Sequence, residues 1–344
     1  MSRIADVAVL AGVSKSTASR ALTGSGYVSE KTRARVAAAA KTLGYVPSTS
    51  AVSLATGRTQ NVGVVMPYVN RWFFGEVLEG IQQALLENGF DLTLYDAKPG
   101  TADRARIFDD FLARKRFDGL IAVGLEPEDH ELDRLVAIGR PVVAVVGSAT
   151  DTSTVSIDDD YAARRATEHL IALGHESIAF IGGGGRHWPQ VDRRRLDGYH
   201  GAMADADLTH RSRHIPSAVS MPGGYKAAVD LLSDARGRPS GVVAVCDEVA
   251  IGTIIAARRL GIQVPAELSV VGIDDHDHAE MFSLTTLQQI PREQGASAVE
   301  LLLAHLADPT RAPETRLVQA RLIVRSSTAA TGSRAIAPTL AGGR

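Results

Sequence analysis

The chain has 344 residues, 45% of them hydrophobic and 22% charged, with a formal net charge of −2. That is globular composition with room for two or three domains. No run approaches the ~18 consecutive apolar residues of a membrane span, so a membrane partner is not expected. A single cysteine, Cys246, excludes an intrachain disulfide framework or a Cys-rich zinc site and suits the reducing cytoplasm, as does an N-terminus without a signal-like apolar run. The charge is uneven: residues 1–58 carry eight Lys/Arg against Asp6 and Glu30, a net of +6 that leaves −8 for the rest. A basic end on an acidic body is the asymmetry expected where one end meets phosphate.

Taken in order, Ile4, Val7, Ala8 and Ala11 form one apolar stripe, and Gly12 supplies a turn. Ser14 is a natural N-cap for a second short helix, because its hydroxyl can accept from an unpaired first-turn amide. Ala18, Ala21 and Leu22 then share a buried face, leaving Lys15, Ser16, Ser19 and Arg20 outward. Two short helices joined through a glycine turn make the helix-turn-helix pattern, whose second helix meets base edges in the major groove. The plainer reading is an αα-hairpin with a solvated polar face, and the ten residues 13–22 leave both open. Ser29 is a further N-cap, Glu30 suits the helix dipole, and Val36, Ala40 and Leu43 stripe a third helix that Gly44 ends. Thr32 stands where a full capping box wants Glu or Gln. Pro47 breaks the chain, and 48–56 is a helix of about nine residues, too short to persist alone in water. It needs a second copy of itself or DNA to form.

From residue 62 strands and helices alternate. Strands at 62–66, 91–95, 119–123 and 142–146 interleave with helices at 75–88, 102–115 and 131–138. Near 155–160 the pattern restarts, with strands at 177–181, 242–245 and 269–272 and helices at 162–173, 194–204, 224–232 and 248–260. Continuous apolar strands in βαβ order imply parallel sheets covered on both faces. Two such halves in series leave a cleft, where ligands gather at the carboxyl ends of strands. Residues 329–344, rich in Ala, Gly, Ser and Thr, are expected to be disordered.

The order of motifs resembles the LacI/GalR family of transcriptional regulators. It is carried by Ile4-Ala5-Asp6-Val7-Ala8, Ala11-Gly12-Val13-Ser14, Thr17-Ala18-Ser19-Arg20-Ala21-Leu22, Leu43-Gly44-Tyr45-Val46-Pro47 and Ser53-Leu54-Ala55-Thr56-Gly57-Arg58. Phe117-Asp118-Gly119, Leu173-Gly174-His175, Val271-Gly272-Ile273-Asp274-Asp275 and Leu284-Thr285-Thr286 continue it through the body. The resemblance implies an N-terminal three-helix helix-turn-helix headpiece (1–46), a hinge helix (47–59), and an α/β two-lobed periplasmic-binding-protein-like effector and dimerisation domain (60–328). The lobes would be 60–158 with 287–318, and 159–286 with 319–328. It implies a homodimer, with a tetramer left open, that reads near-palindromic operator DNA. By position, Lys15 and Ser16 would set sequence preference, Arg20 would contact base or phosphate, and Ser14, Thr17 and Ser19 would position the helix. Ala51 and Leu54 would lie on the hinge, with Leu54 as a minor-groove wedge. Val52 stands where an Arg is common and Ser48 where an Asn is frequent.

The resemblance also implies an effector pocket, expected to take a sugar first and a nucleoside second. Trp72, Phe73 and Phe74 would offer aromatic faces, although Phe73 and Phe74 equally suit the start of a buried helix face. Trp188 would stack on a ring, and Arg195 would clamp polar groups with its fork, with Arg193 and Arg194 adjoining it. Cys246 and Asp247 follow a strand; many relatives carry Asn where Cys246 stands. Asp275 matches an acidic anchor, and Gln289 lies near the crossover between lobes. No metal is expected: Asp274-Asp275-His276-Asp277-His278 has suitable ligands, but neighbours on one loop do not wrap an ion alone. No cofactor is expected either, because the glycines at 182–185 lack the third fingerprint glycine, with His187 in its place. No catalytic constellation is legible, so the rival class, a sugar- or nucleoside-binding protein or enzyme without DNA binding, has no motif behind it.

Overall fold

The computed structural model describes residues 2–24, 26–46, 57–147, 152–184 and 188–332. Residues 47–56 of the expected hinge, with Ala51 and Leu54, lie outside them, as do His187 and the tail from residue 333.

Three helices, α1 (Ile4–Leu10), α2 (Lys15–Thr23) and α3 (Glu30–Leu43), form the headpiece. Its core is small and alanine-rich: Val7, Ala8, Ala11, Ala18, Ala21, Val36, Ala39 and Ala40, flanked by Ile4, Leu22 and Leu43. Small residues at these positions let three short helices approach closely. A module of this size buries little apolar surface, so it is marginal by itself.

The remainder is two lobes, each a six-stranded sheet. The first holds β1 (Asn61–Met66), β2 (Asp91–Asp96), β3 (Gly119–Val123), β4 (Val142–Val145), β5 (Ser153–Ile157) and β11 (Thr315–Val318), in the order β11-β5-β4-β3-β1-β2. The second holds β6 (Ile178–Ile181), β7 (Ser212–Ile215), β8 (Gly241–Ala244), β9 (Ser269–Asp274), β10 (Thr285–Gln288) and β12 (Arg321–Ile323), in the order β12-β10-β9-β8-β6-β7. All pairings are parallel except β10 with β12. The central strands are wholly buried, as parallel strands covered on both faces must be.

The serial arrangement expected from periodicity is corrected by the topology. After β10 the chain returns to the first lobe for α11 (Pro291–Ala307) and β11, then crosses again for β12. Helix α11 packs on α4 (Trp72–Glu87), and Gly80 and Gly295 make the approach possible: a Cβ at Gly80 would lie 2.1 Å from the Arg292 carbonyl oxygen, and one at Gly295 2.3 Å from that of Val77. Two further expectations change. The helix foreseen over 102–115 is α5 (Ala102–Arg106) followed by a wide turn through Phe111 and a tight one to Arg114. Leu112 N bonds to Ile107 O, an i to i+5 step that keeps Ile107, Phe108 and Leu112 all in one core. The disorder expected from residue 329 does not begin there. Ala329 N donates to Ser269 Oγ at 3.1 Å, Ala329 O lies 3.0 Å from His175 Nε2, and Thr331 N donates to Leu173 O.

The other helices are α6 (Asp129–Ala137), α7 (Asp159–Ala172), α8 (Gln190–Asp205), α9 (Met221–Leu232) and α10 (Asp247–Arg259). Among the described residues no helix is long and apolar enough to cross a membrane.

Candidate functional sites: a recognition helix and an interlobe cavity

Helix α2 begins at Ser14, whose Oγ accepts from Thr17 N at 3.1 Å and lies 2.9 and 2.8 Å from the hydroxyls of Ser16 and Thr17. The cap satisfies an orphan amide and clusters three hydroxyls at the positive end of the helix, where phosphate binds well. Ala18 and Ala21 are buried; Lys15, Ser16 and Arg20 are exposed, and Thr17 and Ser19 are half-buried. The structure thus brings six of the eight sequence-predicted DNA-site residues onto one short helix and its cap. It does not speak to Ala51 and Leu54.

The second site is a cavity of about 460 Å³ between the lobes, at the carboxyl ends of both sheets. The first lobe supplies Tyr68, Arg71, Trp72, Phe73 and Phe74 after β1, Glu126 and Glu128 after β3, and Val146 after β4. The second supplies Trp188, Asp192, Arg193 and Arg195 around the start of α8, Cys246 and Glu248 at the start of α10, Asp274 from β9, and Gln289 after β10. The first-lobe wall therefore carries four aromatic rings together with charged groups, and the second-lobe wall is mainly charged. The walls meet where Gln190 N donates to the Glu126 carboxylate, and where the Trp72 ring lies 4.8 Å from that of His276.

The charged wall centres on Arg195, only 6% exposed. Its Nε donates to Asp159 Oδ1 at 2.9 Å and its Nη1 to the Val245 carbonyl at 2.6 Å, with Asp274 Oδ1 3.8 Å away. Burial works against the guanidinium's charge, but Asp159, Asp274 and Asp192 together raise its pKa above the usual value. Asp192, one helical turn before Arg195, is pushed up to about 6 by burial, against the pull of Arg195. Among the described residues neither of its oxygens has a hydrogen-bond donor, and Oδ2 is sealed from solvent. Burial likewise raises the Cys246 thiol, so this cysteine is a protonated apolar filler.

Most of the expected pocket residues line this cavity: Trp72, Phe73, Phe74, Trp188, Arg195, Cys246 and Gln289. Phe73 and Phe74 also pack against the first-lobe core, so both readings of them hold together. Two expectations are corrected. Asp247 is fully buried behind the wall, where Oδ2 accepts from His276 N at 2.9 Å and Oδ1 from Thr286 Oγ1 at 2.7 Å. Asp275 also points away, held by Arg325 and Gln288 at 2.7 Å each. The lining carboxylate is Asp274, whose Oδ1 accepts from Gln289 Nε2 at 2.6 Å. Both aspartates sit at positive φ, 135° and 59°, and this strained turn sends consecutive side chains to opposite sides. Such backbone costs about 1–3 kcal/mol per residue and persists only where the surroundings enforce it. Here the Asp247 carboxylate does so, by bonding across the turn.

Sequence reasoning missed Tyr68, Asp192, Glu248 and Asp274 as pocket residues. Arg71 sits 3.7 Å over the Tyr68 ring, a contact no local pattern announces. Asp192 had a signal: it lies at i−3 from Arg195, hence on the same helix face. The glycines at 182–184 have backbone reasons to be there. All have positive φ, and a Cβ at Gly183 would lie 2.3 Å from Trp188 Nε1.

Residues 3–48 match the bacterial regulatory proteins of the lacI family, and 167–328 match a periplasmic binding protein-like domain. The HTH-type transcriptional repressor PurR of Proteus mirabilis is 33% identical, over 96% of this chain and 97% of its own. The chain belongs to the LacI family. Among solved structures, the lac repressor dimer bound to operator and the anti-inducer ONPF superposes with a TM-score of 0.84 at 26% identity, covering 96% of this chain and 99% of that one. The transcriptional regulator CelR in complex with cellobiose gives 0.70 at 29% identity, covering 95% and 100%. This LacI-family protein is a DNA-binding transcriptional repressor and not an enzyme.

Proposed function

We propose that this repressor is a dimer that binds a near-palindromic operator and controls carbohydrate-utilisation genes, with a sugar or sugar derivative in the interlobe cavity as its effector. The observation that carries the reading is the cavity itself. Aromatic faces on one lobe oppose a buried Arg195–Asp274–Gln289 cluster on the other, in the same chain as an exposed recognition helix. Rings and convergent polar groups suit the apolar and hydroxylated faces of a sugar. The cellobiose bound by CelR is consistent with that class.

In this reading Lys15, Ser16 and Arg20 read the operator, Ser14, Thr17 and Ser19 position the helix, and Ala51 and Leu54 form the hinge. Filling the cavity changes lobe closure, which changes hinge order in the dimer. Coupling of about 1–3 kcal/mol between the two sites is the usual scale. The test is fluorescence anisotropy on operator and random duplexes across a salt series, repeated with a sugar panel. A specific complex retains affinity over random DNA as salt rises, and a sugar shifts operator affinity 5-fold or more. Equal affinity for both duplexes, or no sugar effect on the operator, overturns the reading. FRET on end-labelled operator tests the hinge: Leu54→Ala lowers the bend angle, and an unaltered angle removes the wedge.

A further inference from the structure

The cavity's charges do not balance. Arg104 is bound to Glu131 through two contacts of 2.6 Å and to the carbonyls of Ala97 and Glu126. Arg195 is bound to Asp159. Arg104 and Arg195 line the cavity but Glu131 and Asp159 do not, so each of these guanidiniums has its nearest counter-charge outside the lining. The lining then retains the carboxylates of Glu126, Glu128, Asp192, Glu248 and Asp274. Among the described residues, the guanidiniums of Arg71 and Arg193 are the lining cations left to face them. Among the described residues the excess is negative, and its buried member without a donor is Asp192, 6% exposed. A buried acceptor left unmade costs free energy, more so when charged, and a donor on a ligand in the cavity would remove that cost.

From this we infer that the effector is a polyhydroxylated ring bearing a protonated amine, an amino sugar in chemical class, with its ammonium group against Asp192. The inference rests on the interlobe cavity being the effector site. An ammonium brings three donors and one positive charge, which answers both deficits at once. Phosphorylated or carboxylated sugars add to the excess charge, and a neutral sugar leaves it unanswered. The indole N–H groups of Trp72 and Trp188, both on lining residues, have no acceptor among the described residues. The rings of Trp72 and Trp188 line the cavity and suit a cyclic ligand, which an aliphatic polyamine is not. The aromatic wall suits the ring, and also favours a nearby cation through its π faces.

The experiment is calorimetric titration of the full-length protein at pH 7 with matched sets: glucose, glucosamine, N-acetylglucosamine and glucose 6-phosphate, and the galactose and mannose counterparts, with adenine and guanosine as neutral ring controls. At least one amine is expected to bind 10-fold or more tightly than its hydroxyl parent, its N-acetyl form and its phosphate. Asp192→Asn is expected to cut that preference below 3-fold, and Asp192→Glu, which retains the charge, to preserve its direction. Parent, phosphate or nucleobase binding as tightly as the amine overturns the proposal and leaves the cavity reading standing. An amine preference that survives in Asp192→Asn overturns the role of Asp192. Binding of no compound, by a protein that still holds operator DNA, overturns the cavity reading itself.

Discussion

The recognition helix and the cavity solve opposite problems. The helix presents Lys15, Ser16 and Arg20 to solvent from one turn and a half of chain, over an alanine core that needs only small residues beneath. The cavity buries its chemistry and draws it from loops more than 200 residues apart, from Tyr68 to Gln289. The first surface is inexpensive to hold and gains its value when DNA arrives. The second holds three buried carboxylates around one guanidinium. Substitutions should therefore separate cleanly: cavity changes move the stability of the body, and helix changes move operator affinity.

The largest expected effect is Arg195→Ala. It leaves Asp159 and Asp274 buried without their cation and the Val245 carbonyl without its donor. Removing one partner of such a cluster costs about 3–5 kcal/mol. Urea unfolding of the full chain measures it; a loss below about 1 kcal/mol would show that solvent reaches these carboxylates, and the contrast with the helix would weaken.

Asp192 comes next, and it has a pH signature. Its folded pKa, about 6, is above the ordinary value of 3.8, with Arg195 and Arg71 lowering it and Asp159 and Glu126 raising it around the dominant effect of burial. The folded state therefore holds this proton more tightly than the unfolded chain does. The associated stability is present below about pH 4 and is lost as pH rises through 6, by about 3 kcal/mol. Asp192→Asn has no such step, so the stability difference between variant and wild type should grow in the variant's favour from pH 4 to 7. Parallel curves for the two proteins would place Asp192 in contact with water.

How much of this was legible in the sequence follows the same division. The recognition helix is local, so the Ser14 cap and the Ala18/Ala21 face could be read directly. The buried strands β1, β3, β4, β6, β8 and β9 were legible as apolar runs, whereas β5 and β10, buried but rich in Ser and Thr, were not. Strand β7, Ser-Arg-His-Ile, was not: it is a four-residue edge strand with no fully buried position, so polarity conceals it. The crossovers that bring α11 and β11 back to the first lobe leave no periodicity to read, because they are set by packing such as Gly80 against Arg292. At Asp274 and Asp275 adjacency alone could not say which carboxylate faces the cavity. A strained turn decides it, and the restraint on that turn comes from Asp247, 27 positions earlier.

On the helix side, Arg20→Ala removes an exposed guanidinium from the face proposed to meet DNA. The expected loss is about 1–3 kcal/mol of operator affinity if it reads a base edge, with unfolding of the body unchanged. An unchanged gel-shift titration would remove Arg20 from the interface.

The smallest effect sharpens the comparison most. Ser14→Ala deletes the oxygen that accepts from Thr17 N at 3.1 Å and that the Ser16 and Thr17 hydroxyls approach within 3 Å. Losing an N-cap of this kind costs about 1 kcal/mol of helix stability, close to a fivefold change in an equilibrium. The headpiece core is small enough for that loss to register as faster amide exchange in α2 and weaker operator binding. Lys15, Ser16 and Arg20 remain in the variant, so the salt dependence of binding should be preserved, because the number of phosphates neutralised is unchanged. Ligand affinity at the cavity in the absence of DNA should also be untouched. A parallel fall in ligand affinity would mean that the headpiece and the body share their folding free energy, and that the local and the distributed site are one cooperative unit.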